Sequence, residues 1–327
     1  MDWNVLVFLV QQMMYFSIPL LIVALGGMFS ERSGVINIAL EGIMIIGAFL
    51  GVLFLYFVQN VDGSGPGTNI PGQLLLIIAL LIAAASGIVI SLPHAYASIQ
   101  MKANQVVSGT AINMLAPAIA VYIARMIRSV QQIPFYNVFY IDSVPYLGNI
   151  PVIGELFFQK TFITTYLGFL ILIASWIILY KTPFGLRLRS CGEHPQASDS
   201  VGINVYRMRY AGVMISGALA GIGGLVFVVP TATNFDATVA GYGFLALAVL
   251  IFGQWKPVRI LIAALFFGMM KTISVAYTSI TFLNSLSIPS AIYKMIPYLM
   301  TLIVLAFTSR KSMAPKAAGV PYDKGSR

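Results

Sequence analysis

The chain has 327 residues, of which 59% are hydrophobic and 9% charged, with a mean hydropathy of +0.89 and a formal charge of +9. A soluble domain carries about 25% charged residues, so this composition excludes a water-soluble globular fold and points to a chain solvated by lipid. The positive balance does not mark a nucleic-acid partner, because Lys and Arg fall in short breaks between apolar runs.

Residues 1–4 carry no Lys or Arg, so the apolar stretch at 5–29 reads as a retained membrane segment and not a cleaved signal peptide. Crossing the hydrocarbon core takes about 20 mostly apolar residues. Further stretches of that kind run over 35–58, 73–93, 106–127, 161–180, 210–229, 260–276 and 293–307. The shorter 243–252 reads as a half-helix or re-entrant piece. The predicted fold is an all-α polytopic membrane protein with eight to ten spans over residues 1–309 and a basic tail over 310–327.

The breaks alternate in charge. Lys102 lies in one, Lys181, Arg187, Arg189, Arg207 and Arg209 in a second, Lys256 and Arg259 in a third, and Arg310, Lys311, Lys316, Lys324 and Arg327 follow the last span. This side is expected to be cytoplasmic, the C-terminus included. The breaks at 59–72, 128–160, 230–242 and 277–292 hold only Arg128 and Lys160 as basic residues and are expected outside. Gly26, Gly27 and Gly34 are candidate breaks in the first span, which leaves the orientation of the N-terminus open. The Gly/Ser/Pro-rich run 62–67 reads as a flexible turn. The outer segment 128–160, rich in Pro, Gly and aromatics, reads either as a folded cap or docking surface or as a structural loop.

Polar residues inside apolar helices are costly and therefore informative. Asn37 and Glu41 are four apart and are expected on one helical face, as are Gly109 and Asn113. Asn37, Glu41 and Asn113 can line a substrate pathway, binding hydroxyl or amino groups, or can tie neighbouring helices together. Lys271 and Lys294 can meet an anionic solute, reach an interface, or pair with Glu41. Gly212, Ser216, Ala220 and Gly224 form a small-residue stripe that lets helices approach closely, either within the bundle or against a second subunit, and Gly47 with Gly51 is a shorter one.

Catalytic signatures are missing. There is no GxxxxGK[ST] phosphate loop and no GxSxG, His94 and His194 lie far apart in what read as loops, and no cluster has metal-ligand spacing. The lone Cys191 reads as a reduced thiol. The chain is therefore expected to be a non-enzyme without an ATPase site, cofactor or metal. In the loop 183–203, Pro195 suits a first helical turn and Gly202 a helix C-terminus, so a short exposed helix is expected there, a handle for a cytoplasmic partner.

The segments Gly27 to Gly42, Gln105 to Ala116 (QVVSGTAINMLA), 183–203, Gly217 to Gly224 and Gly241 to Pro257 (GYGFLALAVLIFGQWKP) resemble the permease of bacterial ABC importers for nucleosides. The resemblance covers most of the chain. It implies a type II importer bundle in which two permease subunits, in many nucleoside systems a heterodimer, enclose a pathway. Two cytoplasmic ATPases drive it and a binding lipoprotein delivers the solute. By the same resemblance Gly192, Glu193, Ala197 and Gly202 contact the ATPase. The family usually reads Gly-Arg-Gly-Phe where this chain has Gly241-Tyr242-Gly243-Phe244, which removes a positive charge. Permeases for simple sugars and branched-chain amino acids share the superfamily. Readings of another kind are an ion-coupled secondary transporter, for which Glu41 and Lys271 speak, and a non-transporting scaffold.

Overall fold

The computed structural model describes residues 3–61, 70–280, 289–308 and 313–325. The run 62–67, the basic residues Arg310 and Lys311, and Arg327 lie outside the described residues.

Eleven helices occur among the described residues. They are α1 (Trp3–Arg32), α2 (Leu40–Val58), α3 (Gly72–Ile99), α4 (Gln105–Arg128), α5 (Ile163–Lys181), α6 (Pro183–Glu193), α7 (Pro195–Ser200), α8 (Val205–Thr231), α9 (Tyr242–Phe252), α10 (Pro257–Ala276) and α11 (Ser290–Thr308). Seven of them, α1 to α5, α8 and α10, are long and apolar enough to cross a membrane, and the shorter apolar α9 and α11 add to these. The chain is a multi-pass, all-α membrane protein in its bulk. Helices dominate because a lipid-solvated backbone must satisfy its N–H and C=O groups internally.

α1 runs unbroken through Gly26 and Gly27 to Arg32, and the chain turns away at Gly34, whose φ of +100° is a conformation that favours glycine. The first span is therefore continuous, and it is the central element of the bundle, buried from Phe16 to Glu31 against α8, α10 and α9. α8 supplies the close packing. A Cβ on Gly221 would lie 2.1 Å from Ala83 O of α3, one on Gly224 2.1 Å from Met44 O of α2, and one on Gly212 2.9 Å from Phe29 O of α1. The stripe on α8 thus faces α1 and α2 of its own chain, with Gly221 beside it facing α3, and backbone contact replaces side-chain packing there.

Three sequence expectations change. Pro93 does not end α3, which continues to Ile99 and makes His94 a buried helical residue. In lipid-embedded helices such prolines are tolerated because neighbours satisfy the freed carbonyl. Helix α2 begins at Leu40, so residues 35–39 are irregular backbone and Asn37 does not share a helical face with Glu41. Finally, the loop after α5 holds two helices where one was expected. α6 opens on Pro183 with Thr182 Oγ1 accepting from Gly185 N at 3.2 Å, and α7 opens on Pro195.

Short strands close the end of the bundle where α1 begins. β1 (Ile133–Pro134) pairs antiparallel with β4 (Asn234–Phe235), and β2 (Tyr140–Ser143) with β3 (Gln159–Phe162). The segment 128–160 is a folded cap. Gln59 exchanges two hydrogen bonds with the Tyr136 backbone at 2.8 and 2.9 Å, and Asn137 Nδ2 donates to Val229 O at 2.8 Å. At the opposite end, called here the basic end, lie α6, α7 and residues 313–325.

Candidate functional site

The buried break between α1 and α2 gathers the polar residues expected to line a pathway. Asn37, 0% exposed, accepts from Ala39 N at 3.1 Å and so turns the backbone into α2, while its Nδ2 donates to Ser216 Oγ of α8 at 2.9 Å. Asn113 on α4 closes the other side. Its Oδ1 accepts from Gly42 N at 2.8 Å and its Nδ2 donates to Ile38 O at 2.9 Å. Gly109, one turn away, lets α4 approach, since a Cβ there would lie 3.1 Å from Ala39 N.

Glu41 faces a second break. α9 has only 11 residues and begins inside the bundle at Gly241, with φ +78°. The two Glu41 oxygens accept from Gly241 N at 2.9 Å and Gly243 N at 2.6 Å. The positive end of a half-helix is thereby met by a carboxylate of the same chain. Glu41 has α9 as its partner and not Lys271, which is half-buried on α10. Tyr242, the departure from Arg, is 1% exposed and packs on Phe227 with ring centroids 4.1 Å apart.

The second constellation lies at the basic end. α6 and α7 meet at His194 and enclose a groove of about 490 Å3 whose walls include Leu186, Arg187, Glu193, Ala197 and Val201. Leu186 and Val201 are exposed on it, 63% and 74%. Gly202 ends the unit at φ +85° with open space around it, so its role is conformational. Gly192 is chosen for space instead, since a Cβ there would lie 2.3 Å from Arg32 O.

This contact joins the groove to the bundle. Glu193 Oε1 is 3.5 Å from Arg32 Nη1, Arg32 Nη2 donates to Trp255 O at 3.1 Å, and Trp255 Nε1 donates to Glu31 Oε2 at 2.6 Å. The end of α1, the end of α6 and the turn between α9 and α10 thus form one network. Sequence reading missed Glu31, Arg32 and Trp255. The available signal was two charges closing a long apolar run just before a glycine.

Cys191 is buried within α6, and burial pushes its thiol up, with hydrogen bonding from Ser198 opposing the shift. It belongs to the packing of α6 against α8 and Tyr322.

The chain is thus a polytopic bundle with irregular backbone buried at its centre and a grooved pair of helices at one end linked to that break, and comparison with known proteins places this fold among the membrane permeases. The chain belongs to the family described as branched-chain amino acid transport system / permease component, which matches residues 9–305. It is 46% identical over 331 residues to the guanosine ABC transporter permease protein NupQ of Bacillus subtilis, covering 99% of each chain. It is 41% identical to the nucleoside ABC transporter permease protein NupC of Lactococcus lactis, covering 98% of each. A further relative, the nucleoside ABC transporter permease protein NupB of the same organism, is 29% identical over 158 residues, 48% of this chain and 42% of that protein. No solved structure matches.

Proposed function

We propose that this chain is one of two different permease subunits of an ABC importer for nucleosides, driven by a separate ATPase. The observation that carries the reading is end-to-end similarity to two relatives named for guanosine and nucleoside transport. Lactococcus lactis has two nucleoside permease proteins similar to this chain, NupC and NupB, which supports a heterodimer.

The basic end is cytoplasmic by the excess of Lys and Arg in its loops. The ATPase grips the α6–α7 groove through Gly192, Glu193, Ala197 and Gly202, and the outer cap receives the binding lipoprotein. ATP binding moves α6, and the network from Glu193 through Arg32 to Trp255 carries that movement to α1 and α9. Asn37, Glu41 and Asn113 shape the pathway wall by holding the two breaks. Access then alternates by differential stability of two arrangements, with no covalent chemistry in the permease.

The site favours a neutral solute. Half-helix N-termini in transporters commonly receive anionic groups, and here Glu41 occupies that position. Tyr242 also replaces the usual arginine. Nucleosides and sugars are neutral, whereas an amino acid brings a carboxylate.

The test is uptake by the complex reconstituted with its ATPase and binding lipoprotein. Guanosine uptake is expected to require hydrolysable ATP and to be competed by nucleosides. Competition by ribose or leucine at similar concentrations overturns the substrate, and uptake driven by a proton or sodium gradient without ATP overturns the class.

A further inference from the structure

Residues 313–325 cross the basic end as a strap fastened to five separate parts of the chain. Ala317 N donates to Gly192 O of α6 at 2.8 Å, and Gly319 N to Gly34 O at 3.2 Å. Val320 O accepts from Arg209 Nη1 of α8 at 3.0 Å. Asp323 Oδ2 meets Lys102 Nζ, between α3 and α4, at 2.8 Å, and Met313 N donates to Gln254 Oε1, between α9 and α10, at 2.9 Å.

A basic tail is ordinarily a solvated one, and this strap is seated. Pro315, Ala317 and Tyr322 are buried, Tyr322 to 3%, with its ring edge-on to Tyr206 at 5.4 Å. Gly319 has φ +79°, and a Cβ there would lie 2.8 Å from Ile36. The strap also supplies an acceptor to Arg209, a residue only 1% exposed whose guanidinium packs on Gly34, donates from Nη1 to Val320 O and lies 5.9 Å from the Tyr322 ring. A buried cation needs such acceptors.

We propose that the strap is the positioning element that makes α6 and the buried break at Gly34 move as one body, a proposal resting on the ATPase-driven reading above. Gly192 and Gly34 are the acceptors of two strap amides two residues apart, so displacement of α6 draws the break with it. Apart from the strap, the contacts of α6 with the end of α1 among the described residues include the Gly192 approach and one partly exposed ion pair, and such a pair is weak.

The experiment compares solute taken up per ATP hydrolysed in the reconstituted complex, alongside maleimide labelling of Cys191, which packs on Tyr322. Tyr322→Ala is expected to lower uptake per ATP about tenfold while hydrolysis continues, a coupling loss of ordinary size. Labelling of Cys191 rises in the same variant, and Tyr322→Phe, which keeps the ring, restores both. Wild-type coupling in Tyr322→Ala, or in an assembled chain ending at Thr308, overturns the proposal. Should Tyr322→Ala fail to assemble with the ATPase, the exposed pair decides. Asp323→Lys is then expected to lower the ratio about twofold and the exchange Lys102→Asp with Asp323→Lys to restore it, the scale of a surface ion pair. Equal coupling in all of these forms overturns the proposal. A wild-type complex that carries ribose and no nucleoside overturns only the substrate reading, and uptake per ATP measured with ribose still tests the strap.

Discussion

Glu41 on α2 and Gly243 on α9 meet through one hydrogen bond of 2.6 Å and through backbone contact, since a Cβ on Gly243 would lie 2.4 Å from Glu41 Cα and N. A carboxylate and a glycine 202 residues apart therefore hold the half-helix against the start of α2. The pair works only together, because the carboxylate needs the amides and the glycine provides the approach.

Glu41→Gln is expected to cost about 1.5–3 kcal/mol, the range for hydrogen bonds to a charged group. Thermal unfolding of the purified permease checks this. Gly243→Ala is expected to destabilise at least as much, because the clash is with backbone. An unchanged melting temperature in either variant would contradict the assigned contact.

Asn113 serves two backbone groups of the break, Gly42 N and Ile38 O. Asn113→Ala leaves both without that partner at an expected cost of about 2–4 kcal/mol. Asn113→Asp keeps the acceptor for Gly42 N and loses the donor to Ile38 O, so it should fall between wild type and Ala in the same measurement.

The network from Glu193 through Arg32 to Trp255, proposed above to carry coupling, gives a functional prediction with little stability cost, because the Arg32–Glu193 pair is partly exposed and such pairs contribute about 0–1 kcal/mol. Glu193→Gln is expected to keep the fold and lose transport-coupled ATP hydrolysis, as is Gly202→Val, which strains a φ of +85° in open space. Normal coupled hydrolysis in both would remove the groove from the mechanism.

Close approach of α8 predicts intolerance at Gly221, where an added methyl meets Ala83 O at 2.1 Å. Gly221→Ala is expected to cost about 3 kcal/mol or to block accumulation in the membrane, the upper range for overpacking. Fluorescence-detected chromatography of the expressed variant measures it.

The Lys102–Asp323 contact carries a pH dependence. Hydrogen bonding from Lys102, helped by Gly325 N and the Lys102 charge, holds the Asp323 carboxyl below its ordinary value of 3.8. A depressed pKa stabilises above the unfolded value and loses that contribution as pH falls through the folded one. Exchange protection of the amides in 313–325, corrected for intrinsic rates, should be constant from pH 5 to 8, about a unit or more above the carboxylate range, and fall below pH 4. Loss of protection between pH 6 and 8 would place the control elsewhere.

Much of the fold was legible because lipid imposes one rule on the backbone and the rule leaves long apolar runs. The spans, the shortness of α9, the small-residue stripe and the exposed helix opening at Pro195 all follow from local pattern. So does the expectation that Asn37, Glu41 and Asn113 have partners, since a polar group in an apolar bundle is costly without one. Which partner each has did not follow. Asn37 looked helical because residues 35–39 are as apolar as a helix, yet Gly34 and the Asn37 side chain turn them aside. His94 looked like a loop residue because Pro93 precedes it, and packing carries the helix through.

The sequence by itself determined that the chain spans a membrane and that the loop 183–203 holds a short helix opening at Pro195. Only the tertiary structure decided that Glu41 belongs to α9, that Glu193 reaches Arg32, and that a basic tail is a seated strap. Composition and period are properties of neighbouring residues, whereas an ion pair between residues 161 positions apart and a hydrogen bond between residues 202 apart exist only after the helices have packed.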